Sequence, residues 1–352
     1  MERVPPAPIP EDVVRLAGRM PHGVHLGTSS WAYPGWRGLV YARRAPSASL
    51  ARDGLAAYAE WPIFTTVGLD RAFYSSPTED EYRVLADLVP SGFRFCVKAD
   101  QRCVRPDADA HGSTLGSTTA HRAHGAPNPL FLDADFAWET AVRPAIRGLG
   151  ERLGPVVFQF PYLDVARGGR FGGAAEASAR IGGFLSALRV RAEAEGLHER
   201  WIPAIEVRNR EFLSPAAIDA YVRALGEGDA VHAYLQHPTM PSPAMQERTL
   251  AAAGAPAARR GTRAIVVRWM LPSATTYQDA SAAFEPFDRM LAPDPAVRAE
   301  VAALLSGADS SRPGFVVCNN KAEGCAALTV RALAEELAQD GAATIAVQPE
   351  TP

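Results

Sequence analysis

The sequence predicts an α/β fold, a single-domain (β/α)8 barrel of the TIM type with loop insertions. Three observations carry this expectation. Eight short apolar runs, of the kind buried on both faces of a sheet, recur along the chain and are separated mostly by helical segments. Several of these runs end in a charged or amide residue, as barrel strands do where they open onto a site. No glycine-rich strand–turn–helix fingerprint marks either half as a dinucleotide-binding domain. The 352 residues, 47% of them hydrophobic, suffice for one large core.

Residues 1–23 read as a Pro-rich extension with one short amphipathic turn, 24–340 as the barrel, and 341–352 as a tail. The first strand is 24–31, followed by an aromatic turn-rich loop at 32–38. A helix is expected at 50–60 and a second strand with a polar exit at 64–74. Pro77-Thr78-Glu79-Asp80 carries the start signal of a helix over 78–88. The third strand is 93–99. Residues 101–128, rich in His, Gly, Ser, Thr and Pro, form a loop insertion, either solvated or a lid over a site. His111, His121 and His124 within it are possible metal ligands, but no supporting carboxylates accompany them.

The alternation then resumes, with a helix at 134–149 and a fourth strand at 155–161. The Arg167–Gly173 stretch is glycine-rich but lacks phosphate-loop spacing. A helix follows at 174–195, then a fifth strand at 202–209. Ser214-Pro215 has the N-cap and first-turn chemistry of another helix. The sixth and seventh strands are 230–235 and 264–269. A second long connection spans 271–295, the eighth strand is 314–320, and 326–338 is the closing helix.

Composition narrows the function. A net charge of -3 argues against general nucleic-acid or membrane-surface binding. No apolar run approaches the ~20 residues of a spanning helix. The first residues lack the apolar core of a secretion signal. Four cysteines without CxxC spacing (Cys96, Cys103, Cys318 and Cys325) read as buried reduced thiols of a cytoplasmic protein. Abundant Ala, Arg, Gly and Pro suggest a GC-rich genome.

Six blocks in order carry a family resemblance. They are Gly27-Thr28-Ser29-Ser30-Trp31-Ala32-Tyr33-Pro34-Gly35-Trp36-Arg37-Gly38, Phe73-Tyr74, Phe95-Cys96-Val97-Lys98-Ala99, Leu153 through Pro161, Ala204-Ile205-Glu206-Val207-Arg208, and Asn319-Asn320. Together they resemble the signatures of the YecE-like (DUF72) family, from about residue 24 to 337. The resemblance implies a TIM-type barrel and no particular reaction. The chain departs from the family pattern at four positions. Gly68 stands where Glu is usual, Asp70 for Asn, Asn209 for His, and Lys321 for Asp.

Candidate site residues lie at the strand ends: Asp70, Tyr74, Lys98, Gln159, Glu206, Arg208, Arg268, Asn319, Asn320 and Lys321. Ala204, Glu206 and Arg208 share one strand face, because side chains alternate. Four basic groups against two acidic ones favour a small anionic ligand, bearing phosphate or carboxylate. Glu206 is the first choice for general acid or base, and Lys98 for an alternative proton carrier. Burial raises a Glu pKa and lowers a Lys pKa, bringing both toward working pH. The competing role is mutual neutralisation inside the barrel. Trp31, Tyr33, Trp36 and Tyr74 supply an apolar wall or simply pack in the core.

The reading that follows is a cofactor-independent acid/base enzyme (lyase, isomerase or hydrolase) acting on a small anion. No cofactor, resident metal, nucleic acid or membrane partner is expected, and no oligomeric state is implied. One alternative is a metal-dependent barrel like xylose isomerase or endonuclease IV. It needs several carboxylates and histidines, and the strand ends offer Asp70, Glu206 and His232. The other is a non-catalytic small-ligand-binding protein.

Overall fold

Eight parallel strands pair in chain order and close on themselves. They are β1 (Val24–Thr28), β2 (Thr66–Leu69), β3 (Arg94–Lys98), β4 (Leu153–Gln159), β5 (Ile202–Glu206), β6 (Val231–Gln236), β7 (Ile265–Trp269) and β8 (Gly314–Cys318). β8 pairs back onto β1 through five residue pairs, Val24 with Gly314 to Thr28 with Cys318. The computed structural model describes residues 4–108, 126–166, 169–254 and 263–346, with side chains as far as Gln339. Each predicted apolar run overlaps one strand, so the (β/α)8 barrel expectation holds, although β4 starts two residues before its run and β6 ends one residue after. β2, β4, β6, β7 and β8 are buried along their whole length. That is the condition of a parallel sheet sheathed by helices.

The helices cover the barrel through apolar faces. Ala174–Ala194 buries Ile181, Leu185 and Leu188 and packs against Ile218–Glu227, which buries Tyr221 and Leu225. Glu79–Asp87 starts with a capping box. Thr78 Oγ1 accepts from the Glu81 backbone N–H, and the Glu81 carboxylate accepts from the Thr78 N–H at 2.7 Å. The Pro-rich lead-in is tied to the barrel. Its helix Glu11–Ala17 buries Val13 and Leu16 and packs on the closing helix, where Asp12 pairs with Arg331 at 2.6 Å.

Several boundaries differ from the expectations, each for a local reason. The second strand stops at Leu69, where its ladder with β3 ends, and the chain turns through a 3-10 segment Asp70–Phe73 across the rim. The 50–60 helix is two helices, Ser47–Asp53 and Leu55–Ala59, broken at Gly54. Ser214-Pro215 does not start a helix. The Ser214 hydroxyl donates to the Glu211 carbonyl and closes a 3-10 turn, and the helix begins at Ile218.

The insertion begins with a helical turn, Gln101–Val104, capped by Asp100. The Asn128 amide donates to the carbonyls of Arg102 and Arg105. His111, His121 and His124 lie outside the described residues, as do Arg167 and Gly168 of the glycine-rich stretch. The 271–295 connection carries a helix, Tyr277–Phe284. A further helix, Pro295–Leu305, was not foreseen, although Asp294-Pro295 is a legible cap and first turn. The closing helix continues past residue 338 to Ala346. Among the described residues, no helix is long and apolar enough to cross a membrane.

β1 and β2 approach closely at Gly27, which lies opposite Thr66. A Cβ on Gly27 would sit 1.8 Å from the Thr66 carbonyl oxygen. Gly27→Ala therefore forces the strands apart. We expect a loss of at least about 3 kcal/mol, the upper range for overpacking, measured by urea unfolding. Wild-type stability in that variant would contradict the close approach.

Candidate functional site at the barrel mouth

Alternation along β5 carries Ala204 and Glu206 on one face, and Arg208 follows beyond the strand end. Glu206 is fully buried, and two guanidiniums converge on its carboxylate. Arg208 donates from Nε at 2.9 Å and lies with Nη2 at 2.8 Å, both to Oε1. Arg268, at the end of β7, brings Nε to 2.6 Å from Oε2. That last contact is off the N–H axis, so neither atom completes a hydrogen bond, and Arg268 Nη1 is buried without a partner among the described residues. Arg268 Nη2 reaches Asp70 Oδ1 at 3.4 Å. The carboxylate of position 70 thus comes from the turn after β2 rather than from the strand. At position 68 the strand has room for little beyond glycine. A Cβ there would lie 3.1 Å from Ser29 Cα and 3.2 Å from Val317 Cγ1.

This network reverses one expectation. Burial by itself would raise the Glu206 pKa, but Arg208, then Arg268 and Lys98, outweigh it and hold the carboxyl at about 2. Glu206 is the ionised anchor of an ion-pair cluster and is not tuned toward neutrality. Arg268 is driven up, Asp70 and Glu206 overcoming its desolvation.

Lys98 is buried beside this cluster. It ends β3 with 4% of its surface exposed. Burial lowers its amine to about 8, with Asp70 and Glu206 pulling up and Arg268 and Arg208 pushing down. Its Nζ lies 3.7 Å from the centre of the Phe73 ring. Lys321 is also buried, with its Nζ 4.2 Å from the Tyr277 ring centre and 5.1 Å from that of Phe287.

The remaining candidates divide. Gln159 is buried at the end of β4, in register with Glu206. Asn319 ties β8 to β1 by donating to Ser29 Oγ at 3.1 Å, and its amide oxygen accepts from the Lys321 N–H. The Asn320 amide oxygen accepts from the Ala326 N–H at the start of the closing helix, and its Nδ2 is buried without a partner among the described residues. Trp31 and Trp36 are core residues. Trp31 Nε1 donates to the Leu50 carbonyl, and Trp36 stacks toward Tyr58. Tyr33 sits beside Ser29 within the field of Asp70 and Tyr277, and burial raises its hydroxyl to about 12. Tyr74 is 62% exposed on the rim, bordering a lateral cleft lined by Arg102, Arg105 and Asn128. That cleft holds none of the buried ionic groups.

His232 leaves the site altogether. It points outward, where its Nδ1 accepts from the Tyr221 hydroxyl at 2.8 Å and its Nε2 donates to Gln246 Oε1 at 3.0 Å. Burial holds its pKa at about 4. Among the described residues, no three His, Cys, Asp or Glu side chains gather to hold a metal ion.

The sequence reading missed His237, just beyond β6. The Thr239 backbone N–H donates to its Nδ1 at 3.3 Å, which leaves the ring proton on Nε2. Burial and then Arg208 lower it to about 3, so it is a neutral imidazole beside the arginine cluster. Its place after a buried strand was the available signal. Phe73, Tyr277 and Phe287 were missed too, since nothing in their spacing ties them to lysines distant in the chain.

The sequence matches the family described as "Protein of unknown function DUF72" over residues 25–352. No curated protein matches it. Among solved structures it is similar to a DUF72 family protein of Enterococcus faecalis, with 14% identity and a TM-score of 0.51, covering 89% of this chain and 95% of that one. A DUF72 family protein of Thermotoga maritima is similar at 15% identity and a TM-score of 0.50, covering 91% and 99%. At these identities the likeness speaks for the fold.

Removing the shared carboxylate leaves two buried guanidiniums facing each other. Glu206→Gln should cost about 3–5 kcal/mol at pH 7 by urea unfolding. The folded pKa of Glu206 lies below its ordinary 4.5. Its contribution is therefore complete above pH 4.5 and fades as pH falls toward about 2, where the two proteins converge. Equal stability at pH 7 would refute the clamp.

Proposed function

We propose, for a chain that belongs to the DUF72 family, a cofactor-independent acid/base enzyme acting on a small anion at the barrel mouth. The observation that carries this reading is the unbalanced charge of one buried cluster. Among the described residues, Lys98, Arg208 and Arg268 are set against Asp70 and Glu206. Buried charge without a counter-ion is costly, and a bound carboxylate or phosphate removes that cost. Arg268 Nη1, a buried donor with no partner among the described residues, is an attachment point for it.

Within this reading Lys98 carries the proton. An amine near pH 8 is partly free base at working pH and gives its proton back readily. Glu206 orients Arg208 and Arg268. The neutral His237 offers an N–H to oxygen that gains charge, with no proton to lose first. The metal-dependent alternative is weaker, because His232 faces the helices and both carboxylates are engaged by Arg268. Four unpaired buried cysteines support a reducing compartment such as the cytoplasm.

The test combines binding and turnover. Inorganic phosphate and pyruvate should raise the melting temperature, and a neutral sugar should not. The rise should shrink as salt increases. In a screen of small carboxylates and phosphate esters, Lys98→Met should retain binding but lose at least about 100-fold in turnover. Wild-type turnover should rise with pH through about 8, as Lys98 loses its proton. Binding without turnover anywhere in the screen would favour a non-catalytic binding protein. No response to any anion would end the reading.

Stability carries a second signature of Lys98. Its folded pKa is below the ordinary 10.5, so between about pH 8 and 10.5 the unfolded state binds more protons and stability rises with pH. The rise approaches about 3 kcal/mol. Lys98→Met should remove it when the two unfolding profiles are subtracted.

A further inference from the structure

The chain contains 36 basic residues, and only two, Lys98 and Lys321, are lysines; every other one is arginine. The Ala-, Arg-, Gly- and Pro-rich composition supplies arginine wherever a positive charge is enough. No lysine stands on the described surface, where lysine is ordinarily most common. Both lie instead at the mouth, just at or beyond the ends of β3 and β8, and both are buried. Their ammonium groups face aromatic rings, Phe73 for Lys98 and Tyr277 with Phe287 for Lys321. Among the described residues neither makes an ion pair or a side-chain hydrogen bond.

Arginine would meet the electrostatic needs of such a place, and it stacks on rings at least as well. What arginine lacks is an amine with an available lone pair. Lys98 is the better placed of the two. It lies within the field of Arg208, Arg268, Glu206 and Asp70, and burial favours its free base.

We propose that Lys98 is a covalent catalyst, whose amine forms a Schiff base with an aldehyde or ketone carrying a carboxylate or phosphate. This rests on the anion-binding reading of the mouth and names its substrate class. Lys98 Nζ donates its lone pair to the carbonyl carbon, and the carbon–oxygen π pair moves onto oxygen. Proton transfer from nitrogen to oxygen gives a carbinolamine. The nitrogen then expels that oxygen as water, which carries away both amine protons and leaves the imine. No electrons enter or leave. The imine nitrogen takes up a proton from solvent, and the resulting iminium draws electrons from the adjacent carbon and so eases breakage of a C–H or C–C bond there. Arg208, Arg268 and Lys321 hold the anionic group.

The scarcity of lysine makes the test clean, since only two side chains and the N-terminal amine can react. The full chain is incubated with pyruvate, glyceraldehyde 3-phosphate or neutral propionaldehyde, reduced with borohydride, and read by intact mass and peptide mapping. Calorimetry on the same samples reports binding of pyruvate and phosphate. We expect a reduced adduct at Lys98, at least about tenfold more with glyceraldehyde 3-phosphate than with propionaldehyde. The adduct should be lost in Lys98→Arg, which keeps the charge. Should that variant fail to fold, the site mapped on the wild type decides. Binding of the anions without an adduct at Lys98 overturns the covalent role and leaves the anion reading standing. Labelling confined to Lys321 or the N-terminus also overturns it. Equal labelling by the neutral and anionic aldehydes, with no anion binding, overturns the anionic substrate class.

Discussion

The mouth of this barrel is organised by one carboxylate shared between two guanidiniums. Glu206 is buried completely, and it is stable there as an anion only because Arg208 and Arg268 reach it from either side. Two strand ends, β5 and β7, are thereby held in fixed relation across β6. Arg268 extends the tie to Asp70 after β2. Charges of this kind resist replacement singly, because each removal strands the others in low dielectric. The cluster is structural and electrostatic at once. It fixes geometry, and its two guanidiniums and the Lys98 amine outnumber its two carboxylates.

That surplus bears on the state of Lys98. Burial away from water, and then the neighbouring arginines, loosen the proton of this amine against the pull of Asp70 and Glu206. The two carboxylates that would neutralise it are already committed to guanidiniums. The proposed function divides the chemistry between residue types. In it, arginines, which do not titrate, bind and position, and the titratable lysine carries proton transfer or covalent attachment.

Much of the fold was legible from pattern. Each apolar run held a strand because parallel strands sheathed by helices must be apolar on both faces. Misreadings fell where tertiary contacts override local signals. Ser214-Pro215 has cap chemistry, but its hydroxyl is taken by Glu211. Phe64 through Tyr74 reads as one long strand with a polar exit, but only four of its residues find a ladder on β3. The cap at Asp294-Pro295 and the restriction of lysine to two positions were both readable and went unread.

The sequence by itself determined the barrel, the family, and the concentration of ionic residues at strand ends, because periodicity and residue type are local properties. Only the tertiary structure decided which of those residues meet. It turned Glu206 from a tunable acid into a fixed anion, because Arg268 approaches from 62 residues along the chain. It sent His232 outward to Tyr221 and Gln246 and placed His237 beside Arg208. It also moved Trp31 and Trp36 into the core. A pKa is set by distances and burial among side chains far apart in sequence, and closure of the barrel creates those distances.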